Sequence, residues 1–246
     1  MIWFIIATLV AFFIKGLCGF ANTLIFNGIL SYTANNINIS PLEVVLGYPS
    51  NIILVWKERK SLNWKIWLPL TALVVAGSIP GIFLLKHTDA GLLKVIFGIA
   101  VIVVGVEMLF REMKSNRESS NRKLGGSKLV LILIGIISGL LCGLYGVGAL
   151  LAAYVSRVAE NSHEFKANIC VVFVVENTIR IILYVATGIL TLSVLKQVVI
   201  LIPFMLAAVF LGMKSSSVLN EKIIKKIVIV LLILSGIVLI INNIPR

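Results

Sequence analysis

Four polar groups stand inside stretches of this sequence that are otherwise fit for lipid. Lys15 lies within the apolar run 2–30, and Glu176, Asn177 and Arg180 lie together in the apolar run 165–188. A charge at bilayer depth costs about 2.5–3.5 kcal/mol on insertion scales, so such residues usually face a partner or a wet cavity. Lys15 and Arg180 would supply cationic donors for an anion, and Glu176 would take up and release a proton, which is how a transport step is coupled. Plainer roles compete with these. Lys15 can snorkel to an interface, and Glu176 and Arg180, four apart on one helix, can form a purely structural ion pair.

Glycine breaks accompany the charges. Residues 139–154 read GLLCGLYGVGALLAAY, and residues 14–25 read IKGLCGFANTLI. Hydrocarbon forbids unpaired backbone polar groups, so a broken helix survives at membrane depth only where protein or water surrounds it. Such breaks expose half-helix N-termini, whose free N–H groups and positive dipole ends attract anions. The expected substrate-binding set around the first break is Lys15, Gly19, Asn22 and Thr23, and around the second Tyr145, Gly146 and Gly148. Ser50 and Asn51, directly after Pro49, together with Asn177 and Arg180, complete it from two polar helix segments facing one cavity.

Composition fixes the solvent of the whole chain. With 59% hydrophobic and 13% charged residues and a mean hydropathy of +1.08, it would expose far too much apolar surface to water. The expected class is an all-α integral membrane protein. Residues 1–14 lack a basic n-region and a small-residue cleavage site, and read as the first membrane segment. The net charge of +12 fits basic cytoplasmic loops better than nucleic acid, since no basic patch is interleaved with aromatics. Cys18, Cys142 and Cys170 form no CxxC pair and have no histidine at ligand spacing, so they read as small apolar packing residues. No metal site and no cofactor are expected. An intramembrane protease is disfavoured by the absence of HExxH and GxSxG and by a single aspartate, Asp89, so no enzyme is expected.

Eight apolar units position these residues: 2–30, 41–56, 66–85, 92–110, 129–159, 165–188, 194–213 and 223–241. Ser40, Pro41 and Glu43 read as N-cap, first helical residue and capping-box acid of the second unit, which gives Glu43 a structural role. Landmarks of the first half recur in order in the second at offsets near 130, predicting a first transmembrane repeat at 1–111, a cytoplasmic linker at 112–128 and a second repeat at 129–246. Units one and five, cut at their glycines, give pieces too short to span and suited to re-entrant hairpins. With both re-entrant, the 20 basic residues in or beside connectors divide 16 to 4 across the membrane, against 12 to 8 if all eight units span. The positive-inside rule therefore favours two homologous halves, each of one re-entrant unit and three transmembrane helices, as inverted repeats. Eight full spans in parallel repeats remain the competing topology.

At the two glycine motifs, and at ENTIRIILYVATGIL from Glu176, the chain resembles the sulfite exporter TauE/SafE family over nearly its whole length. The resemblance implies a secondary transporter of the cell membrane that exports small sulfur-containing oxyanions such as sulfite or an organosulfonate. The partners this implies are a small anionic substrate, the lipid bilayer and, as one arrangement, a homodimer. The sequence departs from the family's pattern at residues 147–150, where relatives carry a glycine run, and at Ala21-Asn22, where they carry a further glycine. A cation transporter or channel is the alternative, and it would need carboxylates in the pore.

Overall fold

The computed structural model describes residues 1–30, 36–85 and 148–241, with 95, 98–99, 102–103, 105–106, 109–110, 132, 135–137 and 139–140. Helix is the only regular structure among them, as hydrocarbon requires of any chain that does not close a barrel. The helices are α1 (Ile2–Cys18), α2 (Asn22–Leu30), α3 (Asn36–Glu58), α4 (Trp64–Leu85), α5 (Ala149–Val158), α6 (Ser162–Ala186), α7 (Leu192–Val218) and α8 (Glu221–Ile241), with a 3₁₀ turn at Arg59–Ser61. Among the described residues, the stretches Ile39–Ser61, Ser162–Ala186 and Leu192–Val218 are long and apolar enough to cross a membrane. About half of the expected unit at 92–110 and most of the second glycine break lie outside the described residues.

The first unit is broken where its glycines stand, between α1 and α2. Gly19 ends α1 with φ +88°, and Ala21 follows with φ +71°. Glycine enters this left-handed region freely, whereas alanine there costs about 1–2 kcal/mol. The chain then doubles back. Residues 12 and 26 would stand about 21 Å apart along a continuous helix, yet the Phe12 and Phe26 rings meet edge to face at 6.4 Å between centroids. The arms are 17 and 9 residues long, where cutting the unit at Gly16–Gly19 suggested pieces of about 11 to 14 residues. The cause is Gly16, which stays inside α1 as a packing residue. A Cβ on Gly16 would run into the Val209 carbonyl, and one on Gly212 into the Phe13 carbonyl, so α1 and α7 cross backbone to backbone.

The start of α3 corrects the capping-box reading. The helix begins at Asn36, so Ser40 and Pro41 lie inside it and Glu43 is nowhere near a helix start. At α6 the cap is Asn161, whose side chain accepts from the Glu164 N–H. Helices α3 and α6 run antiparallel, for contacts ascend one as they descend the other. Ser40 meets Tyr184, Tyr48 meets Thr178 and Glu58 meets His163 at 2.8 Å. One end of the bundle gathers the end of α3, the start of α6 and the last turns of α7. There the Asn63 N–H donates to Asn168 Oδ1, Lys57 Nζ donates to the Met213 carbonyl, and Lys166 Nζ bonds Ser216 Oγ.

Candidate functional site

Halfway along α6, at Phe173 and Asn177, the break between α1 and α2, the middle of α3 and the start of α5 line a small, partly open cavity of about 20 Å³. Its wall contains Lys15 from α1, Ala21 from the break, Asn22 and Thr23 from α2, Glu43 and Asn51 from α3, Gly148 from α5 and Asn177 from α6. Two helices begin at this wall. Asn22 and Thr23 are the first residues of α2, and Gly148 is the N-cap of α5. The first four N–H groups of a helix have no intrahelical acceptor, and the end carries about half a positive charge.

Lys15 is 1% exposed; its Nζ donates to the Gly47 carbonyl at 3.4 Å and lies 5.8 Å from the Phe12 ring centroid. Asn22 Nδ2 and Thr23 Oγ1 both donate to Glu43 Oε1, the latter at 2.7 Å. Asn51 is fully buried, and neither atom of its amide has a hydrogen-bond partner. Gly148 permits the approach of α6, since a Cβ there would strike the Phe173 ring. Gly19 stands just outside the wall, its carbonyl accepting from Cys170 Sγ at 3.3 Å. Ser50 also turns away: its hydroxyl donates to the Gly47 carbonyl at 2.6 Å. Tyr145 and Gly146 lie outside the described residues.

Arg180 and Glu176 are buried but are not among the residues that line the cavity. Arg180 Nη2 donates to Ser40 Oγ and to the Tyr184 hydroxyl, each at 2.9 Å, and its Nε stands 3.6 Å from Glu176 Oε1. At that distance the pair is an ion pair without a hydrogen bond, and Glu176 Oε1 and Arg180 Nε have no other partner. The group ties α6 to α3 one turn along from Asn177.

Glu43 is the residue that sequence reasoning set aside. It is 3% exposed, lines the cavity and ties α3 to the first turn of α2. The signal was present, because Glu43 is a carboxylate within an apolar run and falls under the same rule that singled out Lys15. The Ser-Pro-x-Glu pattern masked it. Among the described residues no group of three or more His, Cys, Asp or Glu side chains is placed to hold a metal ion.

The cavity joins buried cation, amide and hydroxyl donors and the Glu43 carboxylate to two helix N-termini inside a bundle of apolar helices. No match to the chain was found among curated proteins or solved structures. The family model described as Sulfite exporter TauE/SafE matches residues 4–239, nearly the full chain, and the chain accordingly belongs to this family of integral membrane transporters.

Proposed function

We propose that the protein is a secondary transporter that carries a small sulfur oxyanion, sulfite or an organosulfonate, outward through the cavity between α2, α3, α5 and α6. One observation carries the reading: two helix starts and the Lys15 ammonium meet at one buried cavity. An oxyanion with three oxygens can take hydrogen bonds from several directions at once, and here the donors of Asn22, Thr23, Asn51 and Asn177 surround the space. Charge-assisted hydrogen bonds of this kind are worth about 1.5–3 kcal/mol each.

The transport cycle follows from two halves that rock about this cavity, with residues 1–111 and 129–246 as inverted repeats and 112–128 as the cytoplasmic linker. Three sets of contacts support that plan. Helices α3 and α6, counterparts at the expected offset, run antiparallel, as inverted halves require and parallel halves do not. Residues 57–63, 163–168 and 213–216 gather at one end of the bundle, as they do when units one and five re-enter. Glycine crossings join opposite halves, Gly16 with Gly212, Gly139 with the backbone of α4 at Val74, and Gly98 with Gly236.

Glu43 is the observation that favours the alternative, a cation pathway, since it places a carboxylate in the wall. Its Oε1 is already bonded to two donors, and Lys15 shares the cavity, which weighs against a cation there. Sealed vesicles containing the purified protein decide between them. Radiolabelled sulfite should move, and unlabelled sulfonate should compete; movement of sodium or potassium with no sulfite flux would refute anion transport.

A further inference from the structure

Glu43 does more than line the cavity. Its Oε1 holds Asn22 Nδ2 and Thr23 Oγ1, two of the donors that the proposed anion would use. Asn51, buried on the same helix two turns away, lines the same space with its amide unbonded. The cavity thus contains one set of donors engaged by an internal carboxylate and one amide with nothing bound to it.

We propose that Glu43 is the proton-coupling residue: its carboxylate competes with the anion for Asn22 and Thr23, and the anion takes these donors only as Glu43 accepts a proton on its carboxylate. The inference rests on the anion-transport reading above. Two anions inside one low-dielectric cavity repel strongly, so an arriving oxyanion favours the protonated carboxyl, and by linkage the proton favours the oxyanion to the same degree. One proton then travels with one anion in the same direction. The charged groups facing Glu43 are Lys15 from α1 and Arg180 from α6, with Glu176 beyond Arg180. Lys15 faces the same space with its Nζ on the Gly47 carbonyl, while Arg180 is held by Ser40, Tyr184 and Glu176. Glu176 has an arginine as its fixed partner and does not reach the Asn22 and Thr23 donors, which is why the coupling role falls to Glu43.

The test uses the full-length protein in proteoliposomes, with sulfite as the probe and an entrapped pH dye. Sulfite's own titration contributes equally to all variants, so differences between them isolate the protein's proton. For one coupled proton, wild-type sulfite affinity should weaken about tenfold per pH unit above the midpoint of the coupling group. Glu43→Gln should remove that slope and the associated proton movement, and should bind sulfite more tightly than wild type at alkaline pH. The double variant Glu176→Gln with Arg180→Gln, which removes the buried pair whole, should keep both. Infrared difference spectra of the wild type, with minus without sulfite, supply a readout that does not depend on the Glu43 variant folding. A protonated-carboxyl C=O band should arise on binding, and it should survive in that double variant. An unchanged pH slope in Glu43→Gln, absence of the band, or its loss in the folded double variant would overturn the proposal. Absence of any sulfite flux in the wild type would instead refute the transport reading beneath it.

Discussion

The two buried clusters of charge in this protein are built in different ways. At the break between α1 and α2, Lys15 and Glu43 stand in a cavity wall and are held by small donors and backbone: a carbonyl, an amide, a hydroxyl. On α6, Glu176 and Arg180 are held by each other and by Ser40 and Tyr184, and do not line that cavity. A like pair of opposite charges is therefore open to a ligand in one place and closed on itself in the other. What separates them is the broken helix, which ends one run of backbone hydrogen bonds and begins another beside the charges.

The largest loss of function is expected at the cavity itself. Gly148→Ala should abolish sulfite flux while the protein still inserts, because the new methyl and the Phe173 ring claim the same space. Adding Phe173→Leu should restore part of the flux; no recovery in that double variant would mean that Gly148 acts through something other than space.

Arg180 tests the closed cluster through stability. Truncating one member of a buried pair costs about 3–5 kcal/mol, so Arg180→Gln alone should lower the yield of folded protein in detergent. Glu176→Gln with Arg180→Gln removes both charges and should recover folding, with flux within about threefold of wild type if each cluster keeps to its own role. A well-folded double variant without flux would make Arg180 part of the anion site.

Lys15→Gln removes the cation from the open cluster. Loss of one charge-assisted contact, about 1.5–3 kcal/mol, corresponds to roughly a ten- to hundredfold rise in the sulfite concentration for half-maximal flux. An unchanged value would remove Lys15 from the site.

The smallest effect sharpens the comparison at the strained tip. Ala21→Gly relieves a left-handed backbone at the cavity wall and should raise thermal stability by up to about 1 kcal/mol. A lower melting temperature would show that the alanine methyl is needed where it is.

Much of this was legible in the sequence because lipid leaves few options. A long apolar run must be helical, and glycines with a buried lysine beside them mark where the helix stops, so Lys15, Asn22 and Thr23 could be named in advance. Gly16 was not, since glycine looks the same whether it breaks a helix or lets two helices touch; only the facing Gly212 reveals the second use. Glu43 was obscured by a local pattern that fits a helix start, and it took the helical run from Asn36 to show that the acid faces inward. Arg180 and Asn177 could not be told apart by spacing, for three residues along a helix is enough to take a side chain from the cavity wall to the brace behind it.

The central claim is that the oxyanion sits between the two helix starts and Lys15, and an electron-rich analogue tests it most directly. Selenite resembles sulfite in shape and charge, and selenium scatters anomalously. In crystals of the protein grown with selenite, the anomalous peak should lie in the cavity within contact of Lys15, Asn22, Asn51 and Gly148. A single peak at Arg180, or anywhere outside this cavity, would contradict the account.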